Sequence, residues 1–338
     1  MTSAPRTGLS ADRLDERGQG APLAGAHDLR RVEPPDLLDS LDPRLAERLA
    51  AWDWPHRAAS CRVEIDGLAW HVQVIGQGPV VWLLHGAGAA GVSWRALVPL
   101  LAPCCTLVVP DLPGHGLSGP APAPWRGLAG TGRAVAALAE RLALPPVLAV
   151  GHSAGAAVAV QATLDGHWRP QALLGVNAAL QPLPGPMQLL AQPLAGWLGG
   201  RGWMLGLLAR RAAEAAAMDR LVGATGSALD AEGLAWYRKL LSRPEHLAGL
   251  LAMWTDWDLP ALWRALPQLD RPLQLLVSDD DRIVPPRQAE AVCRHLSHHL
   301  PHHPPPVHLS RRPDGGHLAH ELFPDWVAAA VRAELATV

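Results

Sequence analysis

Three side chains far apart in this sequence could together activate a weak nucleophile. Ser153 stands in Gly151-His152-Ser153-Ala154-Gly155, a G-x-S-x-G pattern between an apolar β-type run, PVLAVGHS, and an Ala-rich helical one, AGAAVAVQATLDG. Small residues at both ends of the pentapeptide let strand and helix approach, and the strained turn between them lifts the hydroxyl above a sheet. A serine hydroxyl attacks poorly near neutral pH, so it needs a base and a group that holds the base. In an elbow of this kind the partners follow in the order acid, then histidine. LLVSDDDRIVPP offers Asp279, Asp280 and Asp281 after a strand-like run; Asp281, four residues before Pro285 at the turn leaving the strand, is the expected acid. RRPDGGHLAHE offers His317, which follows two glycines and opens the last helix, so its loop can reach over the strand ends, whereas His320, one turn on, points elsewhere.

Acyl transfer at such a serine also needs donors for the developing oxyanion. His85-Gly86-Ala87-Gly88 ends the apolar run PVVWLLHG, and the backbone N–H groups of Ala87 and Ala154 are the expected pair. Asp111-Leu112-Pro113-Gly114-His115-Gly116-Leu117-Ser118 forms a second tight turn beside them. His85, Gly86, Gly88, His152 and Trp254 are the expected pocket residues. His85, His115 and His152 read as turn and pocket residues rather than metal ligands. The chemistry calls for no metal and no organic cofactor.

The elements that must position these groups alternate strand and helix. CRVEID and LAWHVQVIG alternate apolar and polar residues and meet at Gly67 as a hairpin. PVVWLLHG, CTLVVPD, PVLAVGHS, ALLGVNAAL, PLQLLVSDDD and PPVHLSR read as strands. SWRALVPLLA, residues 127–142, AGAAVAVQATLDG, RQAEAVCRHL and the segment after Gly316 read as helices. Such alternation implies an α/β fold: an eight-stranded, mostly parallel sheet with helices on both faces and its pocket at the carboxyl ends of the strands. Alternation stops at 181–268, where helical fragments with Pro breaks suggest a helical cap. The core is then 51–180 and 269–338. Residues 1–50 read as a polar leader, poorly ordered before about 36, ending in an amphipathic helix with Leu37, Leu38, Leu41, Leu45 and Leu49.

Composition excludes several classes. Of 338 residues, 49% are hydrophobic and 18% charged, enough apolar mass for a large core. With 29 basic against 31 acidic residues there is no cationic field for nucleic acid. Lys239 is the only lysine, an Arg bias that reads as GC-rich coding. Cys61, Cys104, Cys105 and Cys293 form no C-x-x-C pair and read as buried thiols. The N-terminus has no apolar h-region, so a cytoplasmic location is expected. Residues 172–200 are uncharged, but Pro182, Pro184, Pro186 and Pro193 make them a poor membrane span; the cap could instead lie against a bilayer. The tract His295, His298, His299, His302, His303 and His308 runs into Pro301 and Pro304–Pro306 and reads as a solvated loop, with adventitious Ni or Zn binding as the alternative. Trp236, Trp254, Trp257 and Trp263 of the cap suggest a flat aromatic lining for an apolar ligand.

Taken together, HGAG, DLPGHGLS, GHSAG, the Asp281 turn and GGHLAH resemble the α/β-hydrolase superfamily over residues 60–335. WPHRAASCRVEIDGLAWHVQVIGQGP, GHSAGAAVAVQ and LVGATGSALDAEGLAWY resemble, more narrowly, the magnesium chelatase accessory proteins of bacteriochlorophyll biosynthesis, the BchO-like branch. That resemblance implies a role beside magnesium insertion into protoporphyrin IX, with magnesium chelatase subunits as partners. It carries no defined reaction. Two readings follow. In one, the chain is a serine hydrolase acting on an ester or similar acyl substrate, with carbon–carbon bond hydrolysis open to the same three residues. In the other, it is an accessory protein that binds a tetrapyrrole ligand or docks on the chelatase. The leader and the His/Pro tract depart from the family pattern and inherit no role.

Overall fold

A computed structural model describes residues 43–182, 196–197, 201–299 and 307–337. Its frame is one eight-stranded sheet: β1 (Ser60–Ile65), β2 (Leu68–Ile75), β3 (Val80–Leu84), β4 (Thr106–Pro110), β5 (Leu148–His152), β6 (Ala172–Val176), β7 (Leu273–Ser278) and β8 (Val307–Arg312). The spatial order is β1-β2-β4-β3-β5-β6-β7-β8. β1 and β2 pair antiparallel, as do β2 and β4, and every later neighbour is parallel. The β1–β2 turn uses Asp66 and Gly67, both at positive φ (45° and 79°), the geometry that a two-residue hairpin requires.

Period-two alternation sends successive strand residues to opposite layers. After α1 (Pro43–Trp52) and the short α2 (Val98–Leu101) come α3 (Gly127–Leu142) and α4 (Ala154–Leu164), and under these two pack Trp82, Leu84, Val108, Ala149, Leu173 and Leu275. On the other face, Val81, Leu83, Leu107, Val150, Leu174 and Leu276 share a cluster with Val327, Ala328 and Val331 of the C-terminal helix Pro324–Ala336. Both faces of the central strands are therefore apolar, which is why those strands read as unbroken hydrophobic runs.

The expected helix SWRALVPLLA is a 3₁₀ turn (Gly91–Trp94) and a single α-turn (Val98–Leu101). Pro99 lacks the N–H that a continuous helix would bond four residues back. The last helix is likewise broken before Pro324, where Phe323 lies at φ −132°, ψ 60°. Cys104 is exposed rather than buried, because β4 begins only at Thr106.

The described residues cluster as one compact unit. The first described helix, Pro43–Trp52, belongs to it and buries Leu45 and Leu49 against Trp54 and Trp236, so packed structure begins before residue 50. Leu37, Leu38, Leu41 and the rest of the leader before residue 43 lie outside the described residues, as do His302 and His303. Between β6 and β7 the described residues contain five α-helices and no strand: Gly202–Ala212, Ala215–Ala224, Ala231–Leu241, Pro244–Asp256 and Leu259–Ala265. Large exposed apolar side chains concentrate there, namely Trp197, Trp203, Leu207, Leu208, Leu221 and Trp254. No helix among the described residues is long and apolar enough to cross a membrane.

One buried polar node braces the antiparallel edge to the parallel strands. Asp111, fully buried after β4, accepts from Gly91 N–H (2.7 Å), Leu117 N–H (2.8 Å) and the His71 ring at Nδ1 (2.7 Å). The other ring nitrogen of His71 meets Ser60 Oγ at 3.1 Å. Replacing the carboxylate leaves three buried donors unpaired. Asp111→Ala should lower unfolding free energy by about 3–5 kcal/mol, read by urea melts; a loss under about 1 kcal/mol would show that this node is not a brace.

Candidate active site

The turn between β5 and α4 is where backbone geometry departs from the ordinary. Ser153 sits at φ 49°, ψ −114°, a region that side-chain-bearing residues resist. Neighbouring strands hold it there. Its N–H donates to Val176 C=O (3.0 Å), and its own C=O accepts from Ala179 N–H (3.1 Å). The flanking glycines are required by space. A Cβ on Gly155 would lie 2.2 Å from Leu84 O, and one on Gly151 would lie 2.3 Å from Ala156 N.

Ser153, His317 and Asp281 come together at the carboxyl ends of β5, β7 and β8. Ser153 Oγ lies 2.9 Å from His317 Nε2, and His317 Nδ1 lies 2.8 Å from Asp281 Oδ2. Asp281 Oδ1 accepts from Ile283 N–H (2.8 Å) and Val284 N–H (2.9 Å), which fixes the carboxylate and leaves Oδ2 facing the ring. Nδ1 is therefore the donor, and the Nε2 lone pair faces the serine hydroxyl. Asp279 is committed elsewhere, to Arg311, and Asp280 Oδ1 accepts from Gly316 N–H (2.7 Å).

Gly86 lies directly over the nucleophile: a Cβ there would be 3.2 Å from Ser153 Cβ and 2.7 Å from His152 Nδ1. Ala154 opens α4, so its N–H has no partner in the helix, and neither it nor Ala87 N–H donates to a protein acceptor among the described residues outside regular elements. Gly88, at φ 76°, abuts Leu241 and Leu250 of the helical insertion. Ala89, Met218, Val222, Leu241 and Leu318 continue this contact as one apolar cluster.

The two expected pocket histidines lie beneath the site rather than lining it. His85 is fully buried; its Nδ1 donates to Gly86 C=O (2.8 Å) and its Nε2 accepts from Leu112 N–H (2.8 Å). His152 donates through Nε2 to His317 C=O (2.8 Å) and stacks on His320 at 3.9 Å between ring centroids. Burial, then the neighbouring rings of His320 and His317, pushes the His152 pKa well below the usual range. His320 is pushed down in the same way, by burial first.

The tryptophans do not form a shared lining. Trp254 is 54% exposed, because Met253 beside it turns inward and adjacent helix positions diverge by about 100°. Trp236 packs on Trp54, Trp257 joins the core under the sheet, and Trp263 stacks on His295 at 4.1 Å.

Several positioning groups are not singled out by the sequence, although Thr225 and Ser227 lie in the segment LVGATGSALDAEGLAWY. Asn177, at φ 46°, accepts Ser278 N–H (3.0 Å) and donates to the carbonyls of Gly316 (2.9 Å) and His317 (3.1 Å). An Asn just past a strand is a signal for left-handed backbone and could have flagged it. The contacts of Thr225 and Ser227 with the His317 loop have no such local signal. Glu321 accepts from Tyr237 Oη (2.7 Å) and Arg95 Nη1 (2.5 Å), joining the insertion to the core just beyond His317.

A model of the alpha/beta hydrolase family matches residues 80–330. The magnesium-chelatase 30 kDa subunit of Rhodobacter capsulatus is 34% identical over 86% of this chain and 98% of its own length. A pimeloyl-[acyl-carrier protein] methyl ester esterase of Methylococcus capsulatus is 31% identical over 75% of this chain and 97% of its own. Among solved structures, a thermophilic esterase from Thermogutta terrifontis superposes with a TM-score of 0.62 at 23% identity, over 82% of this chain and 98% of that one; at that identity the likeness is one of fold.

His246 ties the insertion to both glycine-rich turns, accepting Gly116 N–H at Nδ1 (3.0 Å) and donating from Nε2 to Gly88 C=O (3.0 Å). Burial lowers its pKa to about 4, against 6.5 for a free imidazole. The unfolded chain therefore takes up this proton first, and stability is lost as pH falls from 6.5 towards 4. His246→Gln keeps an acceptor and a donor but cannot protonate. Its stability should fall less than the wild type's between pH 6.5 and 4, by up to about 3 kcal/mol in paired urea melts. Parallel declines would remove His246 as a source of acid sensitivity.

Proposed function

The chain belongs to the alpha/beta hydrolase family, and on that premise we propose that it is a serine hydrolase of an ester or similar acyl substrate. The observation that carries this reading is the relay at 2.9 Å and 2.8 Å from Ser153 through His317 to Asp281. Ser153 Oγ attacks the acyl carbon while His317 Nε2 takes its proton, and Asp281 holds the ring in the tautomer that makes this possible. The carbonyl oxygen becomes an oxyanion facing the N–H groups of Ala87 and Ala154, where one such donor is worth roughly 2.7–4 kcal/mol of barrier. Collapse breaks the bond to the leaving alkoxide, which receives the proton from His317. Water then attacks the acyl-serine, passing its proton to His317, and the acid departs as Ser153 recovers its hydrogen. The apolar wall of Met218, Val222, Leu241 and Leu250 beside Gly88 favours an apolar acyl or macrocyclic ester.

A fluorophosphonate probe tests the chemistry. Wild-type protein should label at Ser153, Ser153→Ala should not, and Asp281→Asn should label at least about 10³-fold more slowly. A folded wild type that never labels would end this reading.

We also propose that the protein acts in bacteriochlorophyll biosynthesis beside magnesium insertion into protoporphyrin IX, with magnesium chelatase subunits as its partners. The support is the identity to the Rhodobacter capsulatus subunit, which extends over nearly all of that protein. A non-catalytic accessory role is the second reading, favoured by the same relative's name as a subunit. Magnesium-protoporphyrin formation by the chelatase, with wild type or Ser153→Ala added, separates them. Stimulation by wild type alone supports a hydrolytic role, and equal stimulation by both supports the accessory one. No effect from either would remove the pathway assignment.

A further inference from the structure

The loop that presents His317 is bound to the helical insertion as well as to the core. Thr225 C=O accepts His317 N–H (3.1 Å) and Arg282 N–H (3.3 Å), so one carbonyl of the insertion holds the base and the residue after the acid. Ser227, only 4% exposed, donates from Oγ to Gly315 C=O (2.8 Å) and accepts Leu318 N–H (2.8 Å), spanning the two residues on either side of Gly316 and His317. Between them the backbones touch. A Cβ on Gly316 would lie 2.3 Å from the Gly226 carbonyl carbon, and one on Gly226 would lie 2.4 Å from Asp280 O. Both glycines have positive φ, 87° at Gly226 and 59° at Gly316, so a side chain at either is excluded by conformation as well as by space. The turn from Thr225 to Ser227 is thus wedged between the loops that carry the base and the acid.

Core contacts alone leave the N–H groups of His317 and Leu318 and the C=O of Gly315 without these partners. Asn177 and His152 secure only carbonyls, those of Gly316 and His317. We infer that Ser227 is a positioning residue for His317, and that the Thr225–Ser227 turn sets the distance from Nε2 to Ser153 Oγ. The inference rests on the hydrolase reading for its catalytic meaning and on the hydrogen bonds for its structural meaning. It has a consequence for access. The insertion cannot lift at this edge as a rigid lid without taking the base out of line, so substrate must enter past another edge.

The experiment uses the full-length protein and two readouts. The first is the pH profile of fluorophosphonate labelling. The second is the downfield proton resonance of the His317 Nδ1–H bonded to Asp281, assigned by its loss in Asp281→Asn and observable without turnover. In Ser227→Ala, with folding checked by thermal melting, labelling should slow about ten- to a hundredfold, the scale of a misplaced catalytic group. Its acid limb should shift and the Nδ1–H resonance should broaden or vanish. Ser227→Thr, which keeps the hydroxyl, should recover most of the rate. A folded Ser227→Ala protein with wild-type labelling, an unmoved acid limb and an intact resonance would overturn the inference and leave the hydrolase reading standing. A wild type that does not label, but whose resonance is lost in Ser227→Ala, would end the hydrolase reading and keep the turn as the support of the ring. If Ser227→Ala does not fold, Ser227→Thr and Ser227→Cys are compared instead, and equal rates and resonances for these two would count against the inference.

Discussion

The backbone at Ser153 is held at φ 49°, ψ −114°, a conformation that costs about 1–3 kcal/mol for a residue with a side chain. Everything at the site follows from how that cost is offset. The turn must bond to Val176 at the end of β6 and to Ala179 in the loop after it, so it is tied to the sheet rather than lying on a free loop. The strand and helix it joins must approach until Gly155 touches Leu84 O and His85 O, which excludes any larger residue. That approach brings the first amides of α4 and the Gly86–Gly88 turn to one rim, and the hydroxyl has nowhere to point except towards it. A relaxed turn would bury the serine or move it away from the β7 and β8 loops, and no base could then reach it.

This constraint also explains what was legible in the sequence. Glycines at 151 and 155, with serine between them and a strand before, are demanded by local backbone geometry, and local geometry leaves a local signature. Strand positions were equally readable, because burial on both faces produces unbroken apolar runs. Asp281 and His317 could be found because each follows its own strand. What failed was whatever depended on which face of a helix turned inward. Trp254 looked like a pocket residue by composition, yet its neighbour Met253 took the buried position. His85 and His152 looked like lining and instead brace the turns from below, using backbone partners that no spacing rule encodes. Asn177, Ser227 and His246 act across long stretches of chain, on partners 88 to 158 residues away, and only the folded structure joins them to those partners.

A second serine, histidine and carboxylate in this protein shows why residue identity is insufficient. Ser60, His71 and Asp111 are linked at 3.1 and 2.7 Å, close to the distances at Ser153. There the resemblance stops. Ser60 accepts a hydrogen bond from Gln73 Nε2 (3.1 Å) and lies on β1 in extended backbone, with no strained turn to present it. All three residues are at most 2% exposed, and Trp54 closes over the imidazole edge-on at 5.2 Å. Asp111 accepts two backbone amides as well as the ring, just as Asp281 does, so the difference lies at the serine and not at the acid. The same functional groups therefore make a brace when the serine lies on a strand under an aromatic ring, and a candidate site when a strained turn at a helix N-terminus presents it.

The buried imidazoles packed against His317 and the glycine-rich turns bear on the charge that acyl transfer would create. His85, His115, His152, His246 and His320 all lie buried, and burial lowers the pKa of each. A layer of neutral rings can donate and accept hydrogen bonds, and so orient the glycine turns, without placing cations near the base. That matters because a proton arriving on His317 makes an imidazolium 4.8 Å, centroid to centroid, from the His152 ring. Were His152 charged, the two cations would repel in a medium far less polarisable than water, and the proton would be harder to accept. With the neighbouring rings neutral, the carboxylate bonded to the His317 ring is that of Asp281, whose position is set by two backbone amides. The burial that costs stability at low pH is thus the same feature that keeps a second imidazolium away from the base.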